Sequence, residues 1–132
     1  MVIYQETFPT NKEFKSDIIS TIKKKLFEIN DKPSIDLFDL KLILDEAIIN
    51  AMEHGNKWDP GKNILIKINL AENGIQVEIK DEGNGFDYFH EYKKPALDKR
   101  GRGLFLMKQM CNIEWIDCGN IITINIPLEL QP

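Results

Sequence analysis

Cysteine is scarce. Cys111 and Cys118 are the only two, with no C-x-x-C spacing and no histidine pair nearby. Neither a zinc site nor a thioredoxin-type motif is therefore suggested, and two buried thiols are expected. Histidine is equally rare: His54 and His90 lie far apart with no carboxylate or thiol cluster around both, so as metal ligands they carry nothing. Long apolar runs are missing, none approaching the ~20 residues that span a bilayer. The stretch Met1 to Glu6 lacks the basic and apolar regions of a signal peptide, so the expectation is a cytoplasmic protein with no membrane partner. Positive charge is in deficit, seventeen basic against twenty-one acidic residues for a net charge of −4, which works against a phosphate backbone and against nucleic acid as a partner. Internal repeats and low-complexity tracts are also lacking. What remains is ordinary globular composition, 42% hydrophobic and 29% charged over 132 residues, which suits a single domain spanning 1–132 with one core.

The periodicities place the elements. Val2 to Phe8 alternates loosely, is rich in β-branched and aromatic residues and runs into Pro9, which reads as a strand at a sheet edge. Thr10 and Glu13 have capping-box spacing, and Phe14, Ile18, Ile22, Leu26 and Ile29 then recur as in a helix. The run Lys23-Lys24-Lys25 points in different directions around that helix and reads as solvated surface. After the breaker Asn30-Asp31-Lys32-Pro33-Ser34, a second helix runs from about Ile35 to His54, with Leu40, Ile43, Leu44, Ala47, Ile48 and Ala51 as its apolar stripe and Gly55 as its end. Asn63 to Leu70 and Ile75 to Ile79 alternate on either side of Asn73-Gly74, which predicts a hairpin. Tyr88 to Arg100 has no period and reads as a loop. A short helix is predicted from Gly103 to Cys111, and a strand pair, Ile113 to Ile116 and Ile121 to Ile126, around Gly119-Asn120. Strands and helices are grouped rather than alternating. The expected class is therefore α+β: a two-layer sandwich with a mixed, mostly antiparallel sheet and its helices on one face.

Three constellations carry polar chemistry. Glu46 and Asn50 are one helical turn apart, within about 40° of each other at about 100° per residue, so a carboxylate and an amide share a face beside the apolar stripe. Taken alone, such a pair is compatible with a solvated helix flank. Asp81-Glu82-Gly83-Asn84-Gly85 follows a strand, and Gly101-Arg102-Gly103 opens a helix. Glycines there admit positive φ and close approach of a ligand, and free N–H groups at a helix start favour an anion. Neither is a dinucleotide fingerprint or a Walker loop, since the third glycine and the Gly-Lys-Ser/Thr are missing.

In chain order, Glu46-x-x-x-Asn50-Ala51-x-x-His54-Gly55, Asp81-x-Gly83-x-Gly85-Phe86 and Arg100-Gly101-x-Gly103-Leu104 resemble the N box and two glycine boxes of the GHKL ATPase superfamily of gyrase, Hsp90, histidine kinases and MutL. Within it, Leu44-Asp45-Glu46-Ala47…Asn50-Ala51…His54-Gly55 and Gly101-Arg102-Gly103-Leu104-Phe105-Leu106-Met107 are most similar to the small stand-alone anti-sigma factor serine kinases. The likeness covers the whole chain. It implies the Bergerat ATP-binding fold, with Asn50 holding Mg²⁺ and Asp81 accepting the adenine amino proton. Gly83, Gly85 and Phe86 would lie at the base, residues 87–100 would form a lid, and Arg100, Gly101, Arg102, Gly103 and Leu104 would lie at the phosphates. His54 joins this nucleotide set only through the resemblance.

The resemblance further implies a homodimer, a sigma factor as bound partner and a small anti-anti-sigma (STAS-type) protein as phosphate acceptor, with Glu46 as the base that orients the serine hydroxyl. Two departures bear on phosphate affinity and transfer rate. Many relatives carry a lysine where this chain has Glu53, and the lid is short and contains Pro95. They keep open a second reading, a nucleotide-binding module that sequesters its partner without phosphoryl transfer.

Overall fold

Isoleucine or valine at every second position gives the sheet one apolar face. In the computed structural model, which describes residues 1–29, 37–71, 74–83, 112–116 and 120–127, β1 is Val2–Pro9, β2 Asn63–Leu70, β3 Gly74–Lys80, β4 Asn112–Ile116 and β5 Ile121–Pro127. They form one sheet in the order β1-β2-β3-β5-β4, antiparallel at each of the four pairings. The register stacks like on like: Ile66 opposes Ile79, which opposes Ile122, and Ile68 opposes Val77, which opposes Ile124. A shift by one residue would turn this whole set to the other face, so the alternation itself selects the pairing.

That face is covered by two helices. α1 (Lys15–Phe27) buries Ile18, Ile19, Ile22 and Leu26, and α2 (Leu37–Asn50) buries Leu40, Ile43, Leu44, Ala47 and Ile48. These residues and the inner strand residues make a single core cluster. Burial of each such isoleucine or leucine contributes roughly 1.5–3 kcal/mol. The opposite face is polar, with Lys67 Nζ 4.0 Å from the Glu78 carboxylate. Beside it, Asn69 Nδ2 donates to Gln76 Oε1 at 3.5 Å and Gln76 Nε2 to Asn125 Oδ1 at 3.2 Å. The architecture is the expected α+β sandwich with its helices on one face. The edge position expected for β1 holds among the described strands. No described helix is long and apolar enough to cross a membrane.

Two local expectations are corrected. The first helix is not capped by Thr10. A 3₁₀ turn, Lys12–Phe14, precedes α1, and its cap is Asn11, whose side chain accepts from the Glu13 N–H at 3.0 Å. Thr10 is 3% exposed and its hydroxyl donates instead to the Lys62 carbonyl at 2.6 Å. A buried hydroxyl takes the nearest acceptor, and the approach of the β2 end supplies it. The second helix does not run regularly to His54. It is α-helical to Asn50 and widens into a π turn over Ala51–Gly55, closed by Asn56 N–H to the Ala51 carbonyl at 2.9 Å. The short helix at 103–111, both cysteines, His90 and the turn residue Asn73 lie outside the described residues.

Candidate functional site

The widened turn brings the end of α2 against the end of β3. Among the described residues, Gly55 and Gly83 are the two positions where this contact admits no side chain. A Cβ on Gly55 would lie 2.2 Å from Oδ2 of Asp81, and one on Gly83 would lie 1.9 Å from the Gly55 carbonyl oxygen. The Gly83 backbone therefore passes directly against that of Gly55, and the Asp81 carboxyl lies against the bare Gly55 backbone, as residues with no Cβ allow. This explains Gly55 better than a helix stop does.

Asp81 sits just beyond β3 and is 4% exposed. Its N–H donates to the Asn120 carbonyl at 2.9 Å, and its Oδ1 accepts from the Gly83 N–H at 2.8 Å. Burial raises the pKa of this carboxyl above the ordinary carboxylate value, while the Gly83 N–H and the positive charge of Lys62 act in the other direction. A half-buried carboxylate and an amide, Glu46 and Asn50, stand one turn apart on α2. Asn50 is 8% exposed, and its amide nitrogen has no hydrogen-bond partner among the described residues. His54, partly exposed, has Nε2 3.9 Å from the Glu53 carboxylate.

Of the residues singled out from the sequence, Asp81 and Gly83 meet the far end of the helix that carries Glu46, Asn50 and His54. Gly85, Phe86, Arg100, Gly101, Arg102, Gly103 and Leu104 lie outside the described residues. Asn56, to which the sequence assigns no role, is 0% exposed. Its Oδ1 accepts from the Glu82 N–H at 2.7 Å, and its Nδ2 donates to Thr10 Oγ1 at 2.8 Å and to the Asn63 carbonyl at 3.0 Å. No periodicity announces such a residue. The one sequence signal was its place directly after a helix-ending glycine. A cavity of about 220 Å³ opens beside Asp81, lined by Thr7, Asn63, Leu65, Lys80 and Glu82. A larger one, about 660 Å³, lies at the other end of the same strands, against Leu70, Ile75, Ile126 and Pro127, and none of the singled-out residues lines it.

A helix-covered antiparallel sheet, with the glycine end of a helix packed against a buried strand-end aspartate, makes a sandwich of the ATPase type. The chain belongs to the histidine kinase-like ATPase domain family, whose model matches residues 19–125. It is 32% identical over 82 residues to the anti-sigma F factor of Shouchella clausii, which covers 58% of this chain and 56% of that relative. Over 83 residues it is 31% identical to the anti-sigma F factor of Clostridium perfringens, covering 58% and 59%. To the serine-protein kinase RsbW of Bacillus licheniformis it is 25% identical over 101 residues, covering 69% and 63%. The chain thus spans less than two thirds of the length of these curated relatives.

Proposed function

We propose that this chain is an ATP-dependent anti-sigma factor with protein serine kinase activity, acting in the cytoplasm, which binds a sigma factor and phosphorylates a serine of a small anti-anti-sigma (STAS-type) protein. The observation that supports the reading is the close contact of Gly55, at the end of the helix that carries Glu46 and Asn50, with Asp81 and Gly83. The names of the relatives support the sigma factor as partner and the serine kinase activity.

In this reading Asp81 accepts the exocyclic amino proton of adenine, a task open to a carboxylate and closed to a lysine. Gly83, with Gly85 and Phe86, leaves the base its room. Asn50 fits Mg²⁺: it is a buried amide with an uncommitted group, its oxygen is a hard ligand, and a half-turn of the amide exchanges its two polar atoms. When bound, the cation supplies charge neutralisation to the phosphate oxygens. Such a site needs one or two protein ligands besides phosphate. Glu46, one turn away, orients or deprotonates the incoming serine hydroxyl, while Arg100, Arg102 and the 101–103 helix start take phosphate oxygens, and His54 closes the set.

The test is incubation of the protein with Mg²⁺, ATP labelled in its γ-phosphate and a candidate anti-anti-sigma protein. Label is expected on a serine of the partner. Nucleotide and sigma binding without label would favour the sequestering module, the reading that Glu53 and the short lid keep open; the Glu53 carboxylate stands 3.9 Å from His54 Nε2.

Asn50→Ala is expected to lower ATP affinity and to abolish its Mg²⁺ dependence while the helix, given the best helix former, stays intact. Calorimetry with and without Mg²⁺ measures this, and an undiminished Mg²⁺ effect would remove Asn50 as the metal ligand.

The same reading includes a homodimer. β1 has a neighbour on one side only among the described strands. Ile3, Tyr4 and Phe8 of that strand pack on the core, so it is the strand edge and the exposed Val2 that are open to a second copy. Light scattering at tens of micromolar protein is expected to give the dimer mass, and monomer alone would count against it.

A further inference from the structure

One side chain ties the turn that holds Asp81 to the rest of the fold. Asn56 follows the π turn, has no exposed surface, and engages both ends of its amide. Its oxygen takes the Glu82 N–H, and its nitrogen is divided between the Thr10 hydroxyl and the Asn63 carbonyl. The partners come from three separate segments: the turn after β3, the residue after β1 and the first residue of β2. Glu82 is gripped from the other side as well, because its carboxylate accepts the Asn63 N–H.

The backbone bends hard to place this amide. Lys57 and Trp58, neither of them glycine, have φ of 51° and 60°, a conformation that costs any residue with a Cβ and that clusters at functional sites. The bend is held by Trp58 N–H to the Met52 carbonyl at 2.9 Å and Asp59 N–H to the Asn56 carbonyl at 3.0 Å. The required side chain must present an acceptor and two donor hydrogens at one reach. Aspartate lacks the donors, serine is too short, and glutamine is one methylene too long.

We propose that Asn56 is the positioning residue of the nucleotide site: by holding the Glu82 amide it sets Asp81 and Gly83 at the distance from the α2 end that an adenine edge requires. This rests on the reading of Asp81 as the adenine acceptor. Asn56 itself touches no ligand. It fixes the group that does, in a site where displacement by a fraction of an ångström costs binding.

The test compares the parent, Asn56→Ser and a core control, Ile68→Val, by calorimetry with ATP and GTP, each protein first shown to melt cooperatively. Asn56→Ser is expected to lose about tenfold in ATP affinity and most of its preference for ATP over GTP. Ile68→Val, destabilised at a site remote from the turn, is expected to keep both. Parental affinity and preference in Asn56→Ser, or equal losses in Ile68→Val, would overturn the positioning role. Hydrogen exchange in the parent gives an answer even if the serine variant does not fold. The Glu82 amide is expected to exchange slowly although Glu82 is exposed, and exchange at the unprotected rate would overturn the proposal. A parent that binds ATP and GTP equally would remove the adenine role of Asp81 and the positioning role with it. A parent that prefers ATP beside an unchanged Asn56→Ser removes the positioning role alone.

Discussion

In Glu46→Gln, phosphoryl transfer to the partner's serine is expected to fall by about 10²–10⁴-fold, the usual weight of general base catalysis, while ATP binding persists. Glu46 stands half-buried on α2, one turn before Asn50 and on the same flank. Glutamine keeps its length, its shape and an acceptor oxygen, so it tests the charge and the basicity without opening a gap beside the proposed Mg²⁺ site. Phosphoryl transfer asks little covalent chemistry of a protein, and orienting the incoming hydroxyl is the one step that needs a base. Sigma binding should survive. A parental rate in Glu46→Gln, measured by label on the partner's serine, would exclude Glu46 as the base.

Asp81→Asn is expected to weaken ATP binding by roughly 1.5–3 kcal/mol, the range of a hydrogen bond to a charged group, and to erase the preference for ATP over GTP. Guanine offers no amine at the same place, so only the adenine complex loses an interaction. The amide oxygen of asparagine can still take the Gly83 N–H that Asp81 holds at 2.8 Å, so the turn should keep its shape. The acid–base behaviour supplies a second readout. Because burial lifts the pKa of this carboxyl above its ordinary value, the folded protein binds the proton more tightly than the unfolded chain does. Its contribution therefore favours folding at low pH and is lost as pH rises through the raised folded value. Two results should follow. Asp81→Asn should melt no lower than the parent at neutral pH, and ATP affinity of the parent should decline as pH falls through the Asp81 titration, a decline absent in the variant. Undiminished ATP binding in Asp81→Asn would end the assignment.

The core of this protein was legible because its signal is periodic. Ile64, Ile66 and Ile68, then Ile75, Val77 and Ile79, state a buried strand face by alternation, and Leu40 to Ala51 state a helix face by their spacing. The structure buries all of these residues. The same local information placed Asn73-Gly74 between two strands that do pair antiparallel, and it set Glu46 and Asn50 on one flank of α2, because helical geometry alone puts residues four apart together.

What the sequence could not declare is which polar residues meet across the fold. Thr10 has the spacing of a cap, yet it bonds to Lys62 and to Asn56, fifty-two and forty-six positions away. Asn56 looks like loop filler until the π turn swings it inward, and Gly55 looks like a helix stop until Asp81 arrives within the reach of a Cβ. The sequence by itself determined the five described strands, the two α-helices, their apolar faces and the family, since those follow from periods and ordered motifs along the chain. Only the tertiary structure decided the contact of the Gly55 backbone with the Asp81 carboxyl and with Gly83, and the buried amide that spans three segments. Those contacts depend on distances between segments that no local pattern encodes, and they form where packing leaves a polar group no water to bond with.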